Sequence, residues 1–134
     1  METMEMIILG LQIVLCVVFL YFGLLKMFMP IEKIAKRVSW AHDYSVAKLK
    51  FFGFLEVIGA LGIILPYQLD IFPILTPMAA TGLAMLMAGA ATVHLQRDEI
   101  NMVFLNIFII FLLAGIGFHT LVDIFDVEVS LARI

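Results

Sequence analysis

The chain has 134 residues, 64% hydrophobic and 14% charged, where an ordinary soluble domain runs at about 45–50% and 25%. With a mean hydropathy of +1.15, that excess is more than one small core can bury, so the solvent that accommodates it is lipid. A net charge of −3 with no clustered basic face excludes nucleic-acid binding. Cys16 is the single cysteine, set inside an apolar run, which excludes a disulfide framework and thiol–disulfide exchange within the chain.

Four apolar runs follow in chain order, and the whole chain reads as one domain (1–134). The first covers about residues 6–28. Its flank "METME" is acidic and no small-x-small site follows it, which argues against a cleavable signal peptide. The segment "PIEKIAKRVSWAH" comes next, with Ile31, Ile34, Ala35 and Val38 recurring at helical spacing opposite Glu32, Lys33, Lys36 and Arg37. It predicts a short amphipathic helix at the membrane surface. The second run covers 46–65. The third covers 76–95, with Thr76 as its expected N-cap and Pro77 at the first helical position. The fourth covers 100–121, and the acidic tail "VDIFDVEVSLARI" after it is expected to rest on the membrane surface. Each run approaches the roughly 20 residues that cross a bilayer. Backbone groups in hydrocarbon must be satisfied internally, so the runs are helices. The fold class is an all-α integral membrane four-helix bundle with a short interfacial helix between helices one and two. Four short helices bury little surface, which leaves room for a homo-oligomer.

Ionisable residues are scarce in such runs and costly at bilayer depth, so each one needs a reason. Lys26 closes the first run. Glu56 lies in the middle of "KFFGFLEVIGALGIILP", six residues past Lys50 and about 9 Å along the helix. His94 sits in the last turn of the third run, Asn101 in the first turn of the fourth, and Asn106 deeper in it. All are expected at one end of the bundle, with the other end nearly dry except for His119 and Thr120 at its rim. Gly23 precedes Lys26 by three residues, Gly53 precedes Glu56 by three and Ala91 precedes His94 by three. Residues three apart share a helix face, and small residues let membrane helices approach. The polar side chains therefore face neighbouring helices. Lys26 is the first candidate partner of Glu56, with His94 and Arg97 as alternates.

The stretches "YFGLLKM", "GFLEVIGALGIILP" and "AATVHL" resemble the DoxX-like family of small four-helix membrane proteins. The middle stretch carries the resemblance best, as Gly53-x-x-Glu56-x-x-Gly59-x-x-Gly62-x-x-x-Pro66. The resemblance implies a membrane subunit linked to a redox partner, with quinone as the cofactor candidate. It also covers relatives that act in redox-stress complexes or in receptor assembly. The lone Cys16 argues against sulfur chemistry by this chain.

On the residues themselves, a ligand site would draw on Gly23, Lys26, Gly53, Glu56, His94 and Asn101. No catalytic residue is identified and no metal site is expected. His94 and His119 stand near opposite ends, so they do not share one haem. The simpler reading of Glu56 is a structural pair with Lys26 that fixes helix register. Asn101 then caps its helix, and Met78, Met85 and Met87 are packing residues. Three functions follow. The first is a non-catalytic subunit or accessory protein whose pocket holds a quinone, lipid or other amphipathic ligand. The second is an assembly factor acting through helix contacts, and the third a proton-coupled carrier.

Lys33, Lys36, Arg37, Lys48, Lys50 and Arg97 fall on one side of the bundle and Arg133 on the other. The positive-inside rule puts the 29–50 loop in the cytoplasm and both termini outside, in the cell (inner) membrane. Reporter fusions at residue 43 and at the C-terminus test this. A cytoplasmic C-terminus overturns it.

Overall fold

The computed structural model describes residues 2–134. Its elements are α1 (Glu2–Phe28), α2 (Ile31–Ala35), a 3-10 turn (Ala41–Asp43), α3 (Val46–Gly62), α4 (Leu65–Gln68), α5 (Leu75–Gln96) and α6 (Ile100–Ala132). Four spans are long and apolar enough to cross a membrane: α1, α3 with α4, α5 and α6. α1 packs on α3 and α5 on α6, and α3 joins the two pairs through α5.

Local chemistry explains the breaks. Ser45 caps α3, its hydroxyl accepting from the Lys48 amide at 3.3 Å. Pro66 offers no N–H, so the helix bends after Gly62 and restarts as α4. Thr76 is not an N-cap, because α5 begins earlier, with Ile74 in that position. Thr76 is instead fully buried, donating to the Gly62 carbonyl at 2.9 Å and accepting from the Tyr67 amide at 3.2 Å. The same hydroxyl that would cap a helix end here joins α5 to the end of α3. The acidic tail is not a separate surface segment either, since α6 continues through it to Ala132. At 33 residues and 1.5 Å per residue, α6 is about 50 Å long, well beyond a hydrocarbon core of about 30 Å.

Two apolar clusters fill the interior. The larger joins all four long helices through Leu15, Phe19, Ala60, Ile63, Leu83, Leu113 and Ile116. The smaller lies at the Lys26 end, where Ile34, Val38, Trp40 and Ala41 pack on Leu25 and Leu49. The amphipathic segment thus turns its apolar side onto the ends of α1 and α3. Large side chains such as Val17, Phe54, Phe104, Phe108, Phe111 and Phe118 face outward. A continuous apolar exterior of this kind belongs in lipid.

The helix crossing of α1 and α3 is set by two glycines. A Cβ on Gly53 would lie 2.5 Å from the Gly23 carbonyl oxygen and 2.9 Å from Lys26 Cβ. A Cβ on Gly23 would lie 2.8 Å from the Gly53 carbonyl oxygen. Backbone meets backbone there, so a methyl group cannot be absorbed by a side-chain movement. Gly53→Ala is expected to destabilise by about 1–3 kcal/mol, the usual cost of overpacking. Gly82→Ala has nothing within 4 Å of the new methyl and should be neutral. Thermal unfolding in detergent checks both, and equal melting temperatures would show that the crossing tolerates separation.

Candidate functional site

Beyond the glycine crossing, the next turn of each helix brings Lys26 and Glu56 together. Lys26 Nζ donates to both Glu56 oxygens, at 2.6 and 2.8 Å. The residues are only 5% and 3% exposed, so this ion pair is desolvated. Breaking such a pair from one side strands a charge and costs about 3–5 kcal/mol. The ammonium also lies 5.5 Å from the centre of the Trp40 ring and 6.0 Å from that of Phe22, within the range of cation–π attraction. Trp40, Tyr44 and Phe52 stack edge-to-face on one another at 5.3–6.2 Å. An aromatic wall therefore closes over the pair.

Among the described residues Glu56 is the one hydrogen-bond acceptor of the ammonium, which carries three donor hydrogens, and the Trp40 and Phe22 rings lie within reach of it.

Gly23 and Gly53 join this site as the contact that brings the helices close. His94, although buried, turns to a different partner. Its Nδ1 lies 2.5 Å from Glu99 Oε2. Asn101 is exposed and caps nothing, since Glu99 occupies the N-cap position of α6. Asn106 is buried, and its Nδ2 has no hydrogen-bond partner among the described residues.

Glu99 was not singled out from the sequence, yet three residues converge on it. Its carboxylate accepts from Ser39 Oγ at 2.9 Å, from His94 and from Arg97 Nε at 3.0 Å, while Arg97 reaches Asp43 at 2.7 Å. Its position five residues after His94 and two after Arg97, in a turn between spans, was the available signal. Trp40 was noted only as part of the surface segment.

The far end of the bundle is not dry. Gln12 is fully buried in α1, donating to the Ile63 carbonyl at 2.7 Å and accepting from Gln68 at 2.8 Å. Tyr67 donates to Asp123 at 2.9 Å. A cleft of about 730 Å³ opens beside them, lined in part by Glu5, Leu9, Tyr67, His119 and Asp123. A lone glutamine in the apolar first run was a readable sign of this second polar region. The large apolar cluster lies between the two ends. Among the described residues, no three His, Cys, Asp or Glu side chains gather closely enough to hold a metal ion.

Four apolar spans and a desolvated ion pair between two of them define a multi-pass helical membrane protein. Its residues 10–116 match the DoxX-like family, and the chain belongs to that family. No curated protein and no solved structure matches it.

Hydrogen bonds from His94, then Arg97, lower Glu99 to about 2. The same turn holds the Arg97 guanidinium above its usual value, chiefly through Glu99. A carboxylate held below its ordinary value of about 4.3 stabilises fully above that value and loses the contribution as pH falls through the folded one. Wild-type protein should therefore lose more melting temperature between about pH 5 and pH 3 than Glu99→Gln, which has no carboxylate to protonate. Identical acid profiles would show that Glu99 contributes nothing to folded stability.

Proposed function

We propose that this chain is a non-catalytic membrane subunit or accessory protein whose Lys26–Glu56 site receives the polar head of an amphipathic ligand, a quinone or a lipid. The observation that carries this reading is a buried ammonium, accepted among the described residues by Glu56 alone, that lies beside the Trp40 and Phe22 rings. A carbonyl or ether oxygen would accept from it, and Trp40 and Phe22 would flank a flat head group. Glu56 holds the Lys26 side chain in place through both oxygens. The link to a redox partner rests on family resemblance, and the orientation is the one argued from Lys and Arg.

A second reading, an assembly factor, is favoured by α6. Its last turns carry exposed Phe125, Val127, Val129 and Leu131, an apolar surface suited to another membrane protein. The carrier reading loses ground, because the apolar cluster separates the two polar ends.

The test combines stability in detergent with binding of a benzoquinone bearing a ten-carbon tail, followed by quenching of Trp40 emission. Glu56→Gln leaves the Lys26 ammonium without its counter-charge and should melt lower than wild type, by less than full removal of the side chain because the amide still accepts a hydrogen bond. Assayed below that melting temperature, it should bind less. The Lys26→Met/Glu56→Leu variant should be about as stable as wild type, because no charge is stranded, and should not bind. Undiminished binding by the double variant overturns the ligand reading and leaves the pair as a register pin. A membrane partner that co-purifies stoichiometrically with that variant supports the assembly reading.

A further inference from the structure

Glu99 holds the N-cap position of α6, but its side chain makes no capping bond. The carboxylate instead faces across to the segment that covers Lys26. Ser39 reaches it directly, and Asp43 reaches it through Arg97. Those two tethers bracket Trp40 and Ala41, the residues buried on the Lys26 end of the bundle. His94, buried in the last turn of α5, holds the carboxylate from behind. Asp98, just before it, has φ +58°, a left-handed conformation that residues other than glycine adopt at a cost. The turn is thus bent in a way that presents Glu99 to residues 39–43.

We propose that Glu99 is a positioning residue for the Lys26–Glu56 site. Through Ser39 and Arg97 it clasps the 39–43 segment, and with it Trp40, over the ammonium. Release of the clasp is the step that admits a ligand head group. This rests on the ligand reading of the site. Lys26 is almost wholly covered, so a head group reaches the ammonium only if part of its cover moves, and Trp40 is the covering ring that sits on the segment outside the spans. Ile34 is buried on the bundle before the segment, and Ser45 is fixed as the cap of α3 after it. The stretch between them is held by apolar contacts of Val38, Trp40 and Ala41 on its inner side and by the clasp on its outer side. The clasp groups themselves are partly exposed, with side chains of Arg97, Glu99 and Asp43 at 34%, 26% and 52%. Ion pairs in such positions are weak and reversible, as a releasable contact requires.

Trp40 is the only tryptophan in the chain, so its emission reports this one place. The experiment measures acrylamide quenching of the full chain in nanodiscs, without ligand. Glu99→Gln and Ser39→Ala should each raise the quenching constant about two- to fivefold, the population change expected when a weak surface contact is lost. Glu99→Asp, which keeps the charge, should recover most of the wild-type protection. The Ser39→Ala/Glu99→Gln pair should exceed Glu99→Gln by little, since Glu99→Gln already weakens the bond to Ser39 along with that to Arg97. Gly62→Ala, which crowds Ala79 at the opposite end of α3, controls for general loosening. Unchanged quenching in Glu99→Gln, or an equal rise in Gly62→Ala, overturns the clasp. The ligand arm uses the ten-carbon benzoquinone, whose association should be faster with Glu99→Gln. Raised quenching with no quinone binding to either protein overturns the ligand reading and leaves the clasp as a contact only.

Discussion

The backbone contact between Gly23 and Gly53 is the constraint on which the Lys26 end of this protein depends. In lipid, apolar side chains gain nothing by leaving one hydrocarbon for another, so helices associate through close packing and polar contacts. Two absent side chains bring α1 and α3 together until carbonyl faces Cα. One turn farther along, that approach puts an ammonium and a carboxylate in bonding range. The covering segment then has a defined surface on which to seat Ile34, Val38 and Trp40. Widening the crossing by one methyl would loosen all three layers in turn.

An ion pair in this setting is poor evidence of stability by itself, because desolvating two charges offsets most of their attraction. Its worth lies in specificity: Lys26 has one partner, and a helix register that moves Glu56 away strands a charge in hydrocarbon. The aromatic wall adds attraction for the cation without neutralising it. An ammonium paired with one carboxylate keeps donor capacity in any such pair, so it is the Trp40 and Phe22 rings beside Lys26 that set this site apart from a plain register pin.

Much of this was legible in the sequence. The apolar runs are long and charge-poor, so the spans followed from length alone, and the Gly-x-x-Lys and Gly-x-x-Glu spacings pointed Lys26 and Glu56 at each other across a tight crossing. Other features were not legible for physical reasons. His94 looked like a third member of the cluster because depth in a bundle can be counted along helices, whereas direction across it cannot. Its partner, Glu99, lies in a turn where helical periodicity gives no guide. Thr76 has the chemistry of a cap, and only the bend at Pro66 converts it into a link between helices. Gln12 was visible as a polar residue in an apolar run, but its acceptor is the Ile63 carbonyl, a backbone group freed by the end of α3. The length of α6 was hidden because Asp123, Asp126 and Glu128 interrupt its hydropathy without interrupting its helix.

The two polar assemblies at the Lys26 end differ in kind, and the difference bears on how such a site could work. The buried pair is desolvated and bidentate, so it is lost only with the crossing itself. The Glu99 assembly shares one carboxylate among three donors and crosses between segments far apart in sequence. His94 is buried, but the bonds to Ser39 and Arg97 lie on the exposed side, where water competes for them and they can break without a stranded charge in the membrane. A site needs both properties at once: a fixed group that recognises and a cover that yields. Placing recognition in the helices and the cover in a turn-to-segment contact separates them, so that opening need not disturb the crossing.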